Sequence, residues 1–169
     1  DIIEQRVFDD AIAFGGWALD LHPGDGVYSK LPGCTQWHSK GVYQIPFRSL
    51  TSNAISNLLF AGRIISASHV AFGSTRVMAT CAHIAQAAAL ASVMCVNNKI
   101  KTSEIHQSEK ISDLQNQLNI NGQSIPNIPI DYNKMPIPKP GILVSSTYTL
   151  NKLPFNGKFS GLEEGYAQL

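Results

Sequence analysis

The stretch Asn57 to Val96, NLLFAGRIISASHVAFGSTRVMATCAHIAQAAALASVMCV, decides how the rest of the chain is read. It falls into three parts. Leu58, Leu59, Phe60 and Ala61 form a short apolar run closed by Gly62, which predicts a buried strand ending in a tight turn. Arg63 to Gly73 reads as a loop carrying Arg63, Ser66, Ser68 and His69. From Ser74 or Thr75 to about Val96 there is no Gly or Pro, and the only charge is Arg76, near the start. That composition predicts one long helix with a Ser/Thr cap.

Seven alanines along this helix leave a surface that other backbone can approach closely. It is too apolar to face water all round, so most of its circumference is expected to be covered. Its N-terminus follows a glycine and lacks acidic residues. Free N–H groups there, aided by the helix dipole, favour an electron-rich ligand atom.

NLLFAGR followed by SHVAFGSTRVMATCAHIAQAAA resembles the C-terminal FAD-contacting segment of FAD-dependent oxidoreductases, those of the fumarate-reductase-like, two-dinucleotide-binding-domain group. The resemblance extends from about Val7 to Ile128, through FDDAIAFGGWALDLH before the strand and LQNQLNINGQSIPNI after the helix. It implies an α/β (mixed α+β) fold with one long buried helix, several short strands and a β-rich tail. It also implies FAD as cofactor and hydride transfer between flavin and an organic small-molecule substrate. Carried over residue by residue, Gly62 and Arg63 pass beside the cofactor. Gly73, Ser74, Thr75, Val77 and Met78, with Arg76, line the helix entrance, their main-chain N–H groups turned to the flavin O2 edge. His69 and Arg76 are the catalytic candidates near the substrate.

Two departures bear on these roles. Many related flavoproteins hold an acid after the Ala-Gly pair, where it bonds the ribityl chain; here Arg63 can donate but cannot accept. The spacing from His69 to Arg76 is also longer than in the fumarate-reductase-like pattern. A bland alternative stands beside each role: a salt bridge for Arg63, a backbone-bonded loop histidine for His69, and a simple helix cap for the entrance. Arg48, in IPFRSL, reads equally as a cofactor-positioning group or an ion-paired arginine.

A flavoprotein of this kind needs a glycine-rich phosphate loop, G-x-G-x-x-G, and none of the 13 glycines forms one. The expectation is therefore a C-terminal fragment, inactive alone and weak in FAD retention. Its partner would be the missing N-terminal dinucleotide-binding portion.

Composition bounds the alternatives. A 169-residue chain with 44% hydrophobic and 15% charged residues supports a real core. Net charge +1 leaves no electrostatic footprint for nucleic acid. The cysteines Cys34, Cys81 and Cys95 make no metal pattern, and no metal is expected at His22 or His38. Cys81 and Cys95 stand about 21 Å apart on one helix at 1.5 Å per residue, so all three read as buried free thiols. The compartment stays open. Val77 to Asn98 carries no charge, which raises a membrane span, but His83 and Gln86 near its middle favour a buried helix in which both are satisfied polar groups.

Elsewhere, Asp1 to Ala13 is mixed, and Phe8, Ala11, Ile12 and Phe14 read as a short helical turn or an extended pass. Trp17, Leu19 and Leu21 alternate as a half-buried strand, and the two tryptophans, Trp17 and Trp37, read as core or as a cleft wall. His22 to Cys34 is a loop. Val42 to Ile45 is a strand stopped by Pro46, with a single turn over Phe47 to Leu50. Ser112 caps a helix over Ser112 to Asn119, closed by Gly122. Residues 1–122 form the C-terminal part of an FAD-binding domain, 123–141 a Pro-rich linker, and 142–169 a β-rich tail that opens a further domain or wraps back. Two rivals stand against the enzyme: a non-enzymatic carbohydrate- or protein-binding module in that tail, resting on Tyr148, Phe155, Phe159 and Tyr166, and an inactive structural fragment.

Overall fold

The computed structural model describes residues 1–107 and 109–130. The later part of the linker, the strand read at 142–150 and the tail aromatics lie outside the described residues.

Two small antiparallel pairs and three helices build the described body, a mixed α/β arrangement. Strand β1 (Ala11–Gly15) is the extended pass rather than the helical turn, because its small residues let it sit fully inside. Strand β2 (Leu19–Leu21) pairs with β3 (Thr35–Trp37), Asp20 opposite Gln36 and Leu19 opposite Trp37. Strand β4 (Tyr43–Pro46) pairs with β1, Gly15 opposite Tyr43 and Ala13 opposite Ile45, with a bulge between Ala11 and Ala13. A 3₁₀ turn over Phe47–Leu50 follows β4, as expected from the Pro46 stop. Strand β3 escapes sequence reading because all three of its residues are exposed, leaving no apolar alternation to detect.

Helix α1 (His69–Thr75) corrects the expected loop at 63–73, and helix α2 (Met78–Asn98) corrects the expected start at Ser74 or Thr75. Ser68 takes the capping role, its hydroxyl accepting from the Ala71 N–H. Val77 is extended and breaks the two helices apart. Helix α2 ends with Lys99 in the left-handed region, the Ile100 N–H returning to the Cys95 carbonyl.

The α2 face that turns inward follows the helical period: Thr80, Ile84, Ala87, Ala91 and Cys95. It packs on β1, on the later helix α3 (Lys110–Ile120) and on the turn after Gly62. Ile12, Tyr43, Phe47, Leu50, Leu114 and Leu118 complete the core. The opposite face is not covered as expected: Met78, Ala82, Ala85, Ala89, Val93 and Val96 are exposed. The helix is thus long but only half buried. It has the length and composition to cross a membrane, a test that a core helix also passes, and its inner face packs as a core helix does.

Helix α3 (Lys110–Ile120) starts before the expected Ser112, because the Glu109 carbonyl already accepts from the Ser112 and Asp113 N–H groups. Its end is as expected: Gly122 has φ +85°, and the Gln123 N–H closes onto the Leu118 carbonyl. Gln115 donates to the Asp9 and Ala11 carbonyls and Gln123 donates to that of Ile12, so amide side chains satisfy β1 from the α3 side. Gln123 and Ile125, the first residues of the expected linker, are buried. The apolar run Leu58–Ala61 forms no strand; only a bridge between Thr51 and Leu59 is made, and the run is partly exposed.

Candidate functional site

Gly62 opens a short 3₁₀ turn, Gly62–Ile64, with φ +65°, a conformation in which a side chain is strained. A Cβ there would meet nothing within 4 Å, so the glycine serves the turn and faces open space. Arg63 is exposed and makes no hydrogen bond or ion pair among the described residues. Ile65 then plugs into the core, and the Ser66 N–H bonds the Ser49 carbonyl, which fixes the turn to the body.

His69 is exposed as the first residue of α1, and Arg76 caps that helix at its other end. At 1.5 Å per residue the two stand about 10 Å apart along the axis. The structure does not bring them together. Gly73, Ser74 and Thr75 occupy the last turn of α1 and are buried. A Cβ on Gly73 would approach the Asp20 carbonyl oxygen to 2.9 Å and Leu21 Cδ2 to 2.9 Å, so β2 seats directly on this glycine. The Ser74 hydroxyl donates to the Trp17 carbonyl at 2.5 Å and meets the Tyr43 hydroxyl at 2.5 Å. Burial pushes the Tyr43 phenol up, and the Ser74 hydrogen bond pulls back against it.

Val77 and Met78 mark the start of α2. No side chain caps this helix, and Met78 is 83% exposed. Among the described residues the N–H groups of Met78, Ala79 and Thr80 have no acceptor; the first one satisfied is that of Cys81, bonded to the Val77 carbonyl at 3.0 Å. The start of α2 therefore presents unbonded main-chain N–H groups three to four residues downstream of the Ser74 or Thr75 start that the residue types place.

Arg76 belongs to a cluster that sequence reading did not assemble. Its Nη2 donates to Asp20 Oδ2 at 2.9 Å and lies 3.3 Å from His22 Nε2. His22 Nδ1 faces the Gly33 carbonyl at 2.9 Å, and Gln36 Nε2 donates to Asp20 Oδ1 at 3.3 Å. Burial pushes the Asp20 carboxyl up, but the Gln36 hydrogen bond and the His22 and Arg76 charges prevail, leaving it below its ordinary value. Asp20 and His22 are neighbours in sequence; Arg76 lies 56 residues on from Asp20, and no local pattern links them.

Arg48 resolves as an ion-paired residue. Its Nε and Nη2 reach the two oxygens of buried Asp10 at 3.1 and 2.7 Å. Neither helix polar group is the satisfied buried one expected: His83 lies tilted against Phe14, 4.9 Å between centroids, with its Nδ1 buried without a partner among the described residues, and Gln86 is exposed. Trp17 and Trp37 are half-exposed rather than core. Of the cysteines only Cys95 is buried; Cys34 is exposed. Among the described residues no group of three His, Cys, Asp or Glu side chains could hold a metal ion.

Helix α2 thus opens without a side-chain cap, its first N–H groups unbonded among the described residues, on a mixed α/β body. The chain belongs to the FAD dependent oxidoreductase family, whose model matches residues 1–118. No curated protein and no solved structure matches the chain. Membership makes it a flavin-dependent oxidoreductase with FAD as cofactor. The residues present fit that group: three unbonded main-chain donors at the start of α2 and an unpaired arginine on an open turn.

Proposed function

We propose that this chain supplies the flavin-facing part of an oxidoreductase acting on a small organic substrate. When bound, the flavin supplies two-electron acceptor chemistry. The chain's own residues hold and polarise it. The N–H groups at Val77–Met78 and just beyond donate to an electron-rich edge, where the dipole of a 21-residue helix favours negative charge. Arg63 donates to a phosphate or flavin oxygen from the turn opened by Gly62. Gly73, Ser74 and Thr75 serve the same entrance indirectly, by seating α1 against β2 and Trp17. Arg76 and His69 are the substrate-side candidates, at opposite ends of α1, with His69 able to exchange a proton and Arg76 to fix an anion.

The uncapped start of α2 carries this reading. The sequence has no G-x-G-x-x-G loop, so the reading gives the pyrophosphate no glycine-rich cradle here and includes weak FAD retention by this chain alone. Met78→Pro tests it. Proline is tolerated at the first helical position, and Val77 already has the extended conformation that a following proline demands. The variant deletes one donor and keeps the helix. FAD titrated to millimolar concentration should bind the full chain with a dissociation constant raised roughly two- to tenfold in the variant, the loss of one hydrogen bond of about 0.5–1.5 kcal/mol to a neutral carbonyl acceptor. Unchanged affinity with an unchanged far-UV spectrum refutes the amide reading.

A further inference from the structure

We propose that Asp20, on the β2–β3 hairpin, is the positioning residue that holds the Arg76 guanidinium at the junction between α1 and α2. The inference deepens the proposed function and rests on it for what the arginine serves, since Arg76 immediately precedes Val77, the N-cap of α2.

Two arginine–aspartate pairs in the same body differ in a telling way. Arg48 grips Asp10 with Nε and Nη2 on both carboxylate oxygens, and the Arg48 N–H adds a third bond to Oδ2. Two guanidinium nitrogens and the backbone N–H are thus spent on one buried acid, the pattern of a structural pair. Arg76 meets Asp20 through Nη2 alone. Its Nε and Nη1 make no hydrogen bond among the described residues, and its side chain is 31% exposed. The guanidinium is therefore aimed by one nitrogen and open through the other two.

The aiming group is itself built in. Gly73 lets the Asp20 backbone lie on α1, where any Cβ would stand 2.9 Å from the Asp20 carbonyl oxygen. The register sets Asp20 opposite Gln36, whose amide holds Oδ1 and leaves Oδ2 for Arg76. His22 lines the same Oδ2 at 3.3 Å and is anchored by Gly33 on the far side of its ring. Three side chains, of Gln36, His22 and Arg76, thus meet at one carboxylate, which aims one arginine.

Labelling of arginines with phenylglyoxal, read by peptide mass spectrometry on the full chain, tests this. Exposed Arg63 is the internal reference. Asp20→Asn should raise the Arg76 labelling rate several-fold relative to Arg63, and Asp20→Glu, which restores the charge, should return it towards that of the parent. A merely structural pair would not show this rescue in variants that melt like the parent. If Asp20→Asn destabilises the hairpin, Gln36→Leu releases Oδ1 and leaves the charge in place; the Arg76 rate should then rise less than in Asp20→Asn. An Arg76 rate unmoved by Asp20→Asn in folded protein overturns the inference. A second arm adds millimolar FAD, with exposed Arg6 as the reference because Arg63 faces the proposed cofactor. Protection of Arg76 that is lost in Asp20→Asn supports the service to the cofactor site. Absence of FAD uptake at that concentration counts against the proposed function alone, because the labelling without FAD still decides the positioning.

Discussion

Replacing Gly15 by Ala should destabilise the protein strongly, although alanine ordinarily suits a strand better. Where nothing obstructs the new methyl, Gly→Ala stabilises by about 0.4–1 kcal/mol through the unfolded chain. At Gly15 the added Cβ would stand 2.3 Å from the Tyr43 hydroxyl oxygen and 2.4 Å from the ring carbon bearing it. Tyr43 cannot swing aside: it is 2% exposed, lies across the strand pair from Gly15, and meets Ser74 at 2.5 Å. Forcing a methyl into such packing costs about 1–3 kcal/mol. Displacing the ring also breaks the Tyr43–Ser74 hydrogen bond, about 0.5–1.5 kcal/mol more. The expected loss is therefore about 2–4 kcal/mol. At about 2–4 °C per kcal/mol for a chain of this size, the melting temperature should fall by roughly 10 °C. Urea midpoints measured for Gly15→Ala alone and in a Tyr43→Ala background decide the cause. Most of the cost should vanish in the second background, where the ring is gone. A neutral or stabilising Gly15→Ala, or a cost that persists without Tyr43, would refute the steric argument.

The remaining predictions are more local. Asp10→Ala should cost about 1.5–3 kcal/mol in urea unfolding, because the buried carboxylate accepts three hydrogen bonds from Arg48; a loss below about 0.5 kcal/mol would contradict the clamp. Lys99→Gly should gain about 0.5–1 kcal/mol, since a non-glycine residue holds φ +54° at the end of α2, and no gain would mean that the lysine side chain compensates the strain. The phenol of Tyr43 has a pKa raised by burial, so the fold favours its neutral form. Its contribution is complete below the unfolded value of about 10 and is lost as pH rises through the higher folded value. Stability measured from pH 8 to 11 should thus fall more steeply in the parent than in Tyr43→Phe; parallel curves would contradict the assignment.

The arginines show how far local sequence reaches. Arg63 and Arg76 were both legible as functional candidates, because a glycine turn and a charge at the start of an apolar helix are local signals. What each one touches was not legible. Arg63 faces open space, whereas Arg76 is aimed by an acid 56 residues earlier, a pairing that depends on β2 lying against Gly73.

Helix α2 divides the same way. Its length and its end near Val96 follow from composition, since an unbroken run without Gly or Pro propagates once begun. Where it begins was decided elsewhere. Ser74 and Thr75 have the chemistry of caps, but Ser74 is drawn to Trp17 and Tyr43, and the cap falls to Ser68 at the head of a separate helix. The interior of α2 and the turns at Gly62 and Gly122 obey short-range rules and could be read from the chain alone. Entrances, ion-pair partners and the covering of each face depend on groups distant in sequence, so only the tertiary structure could settle them.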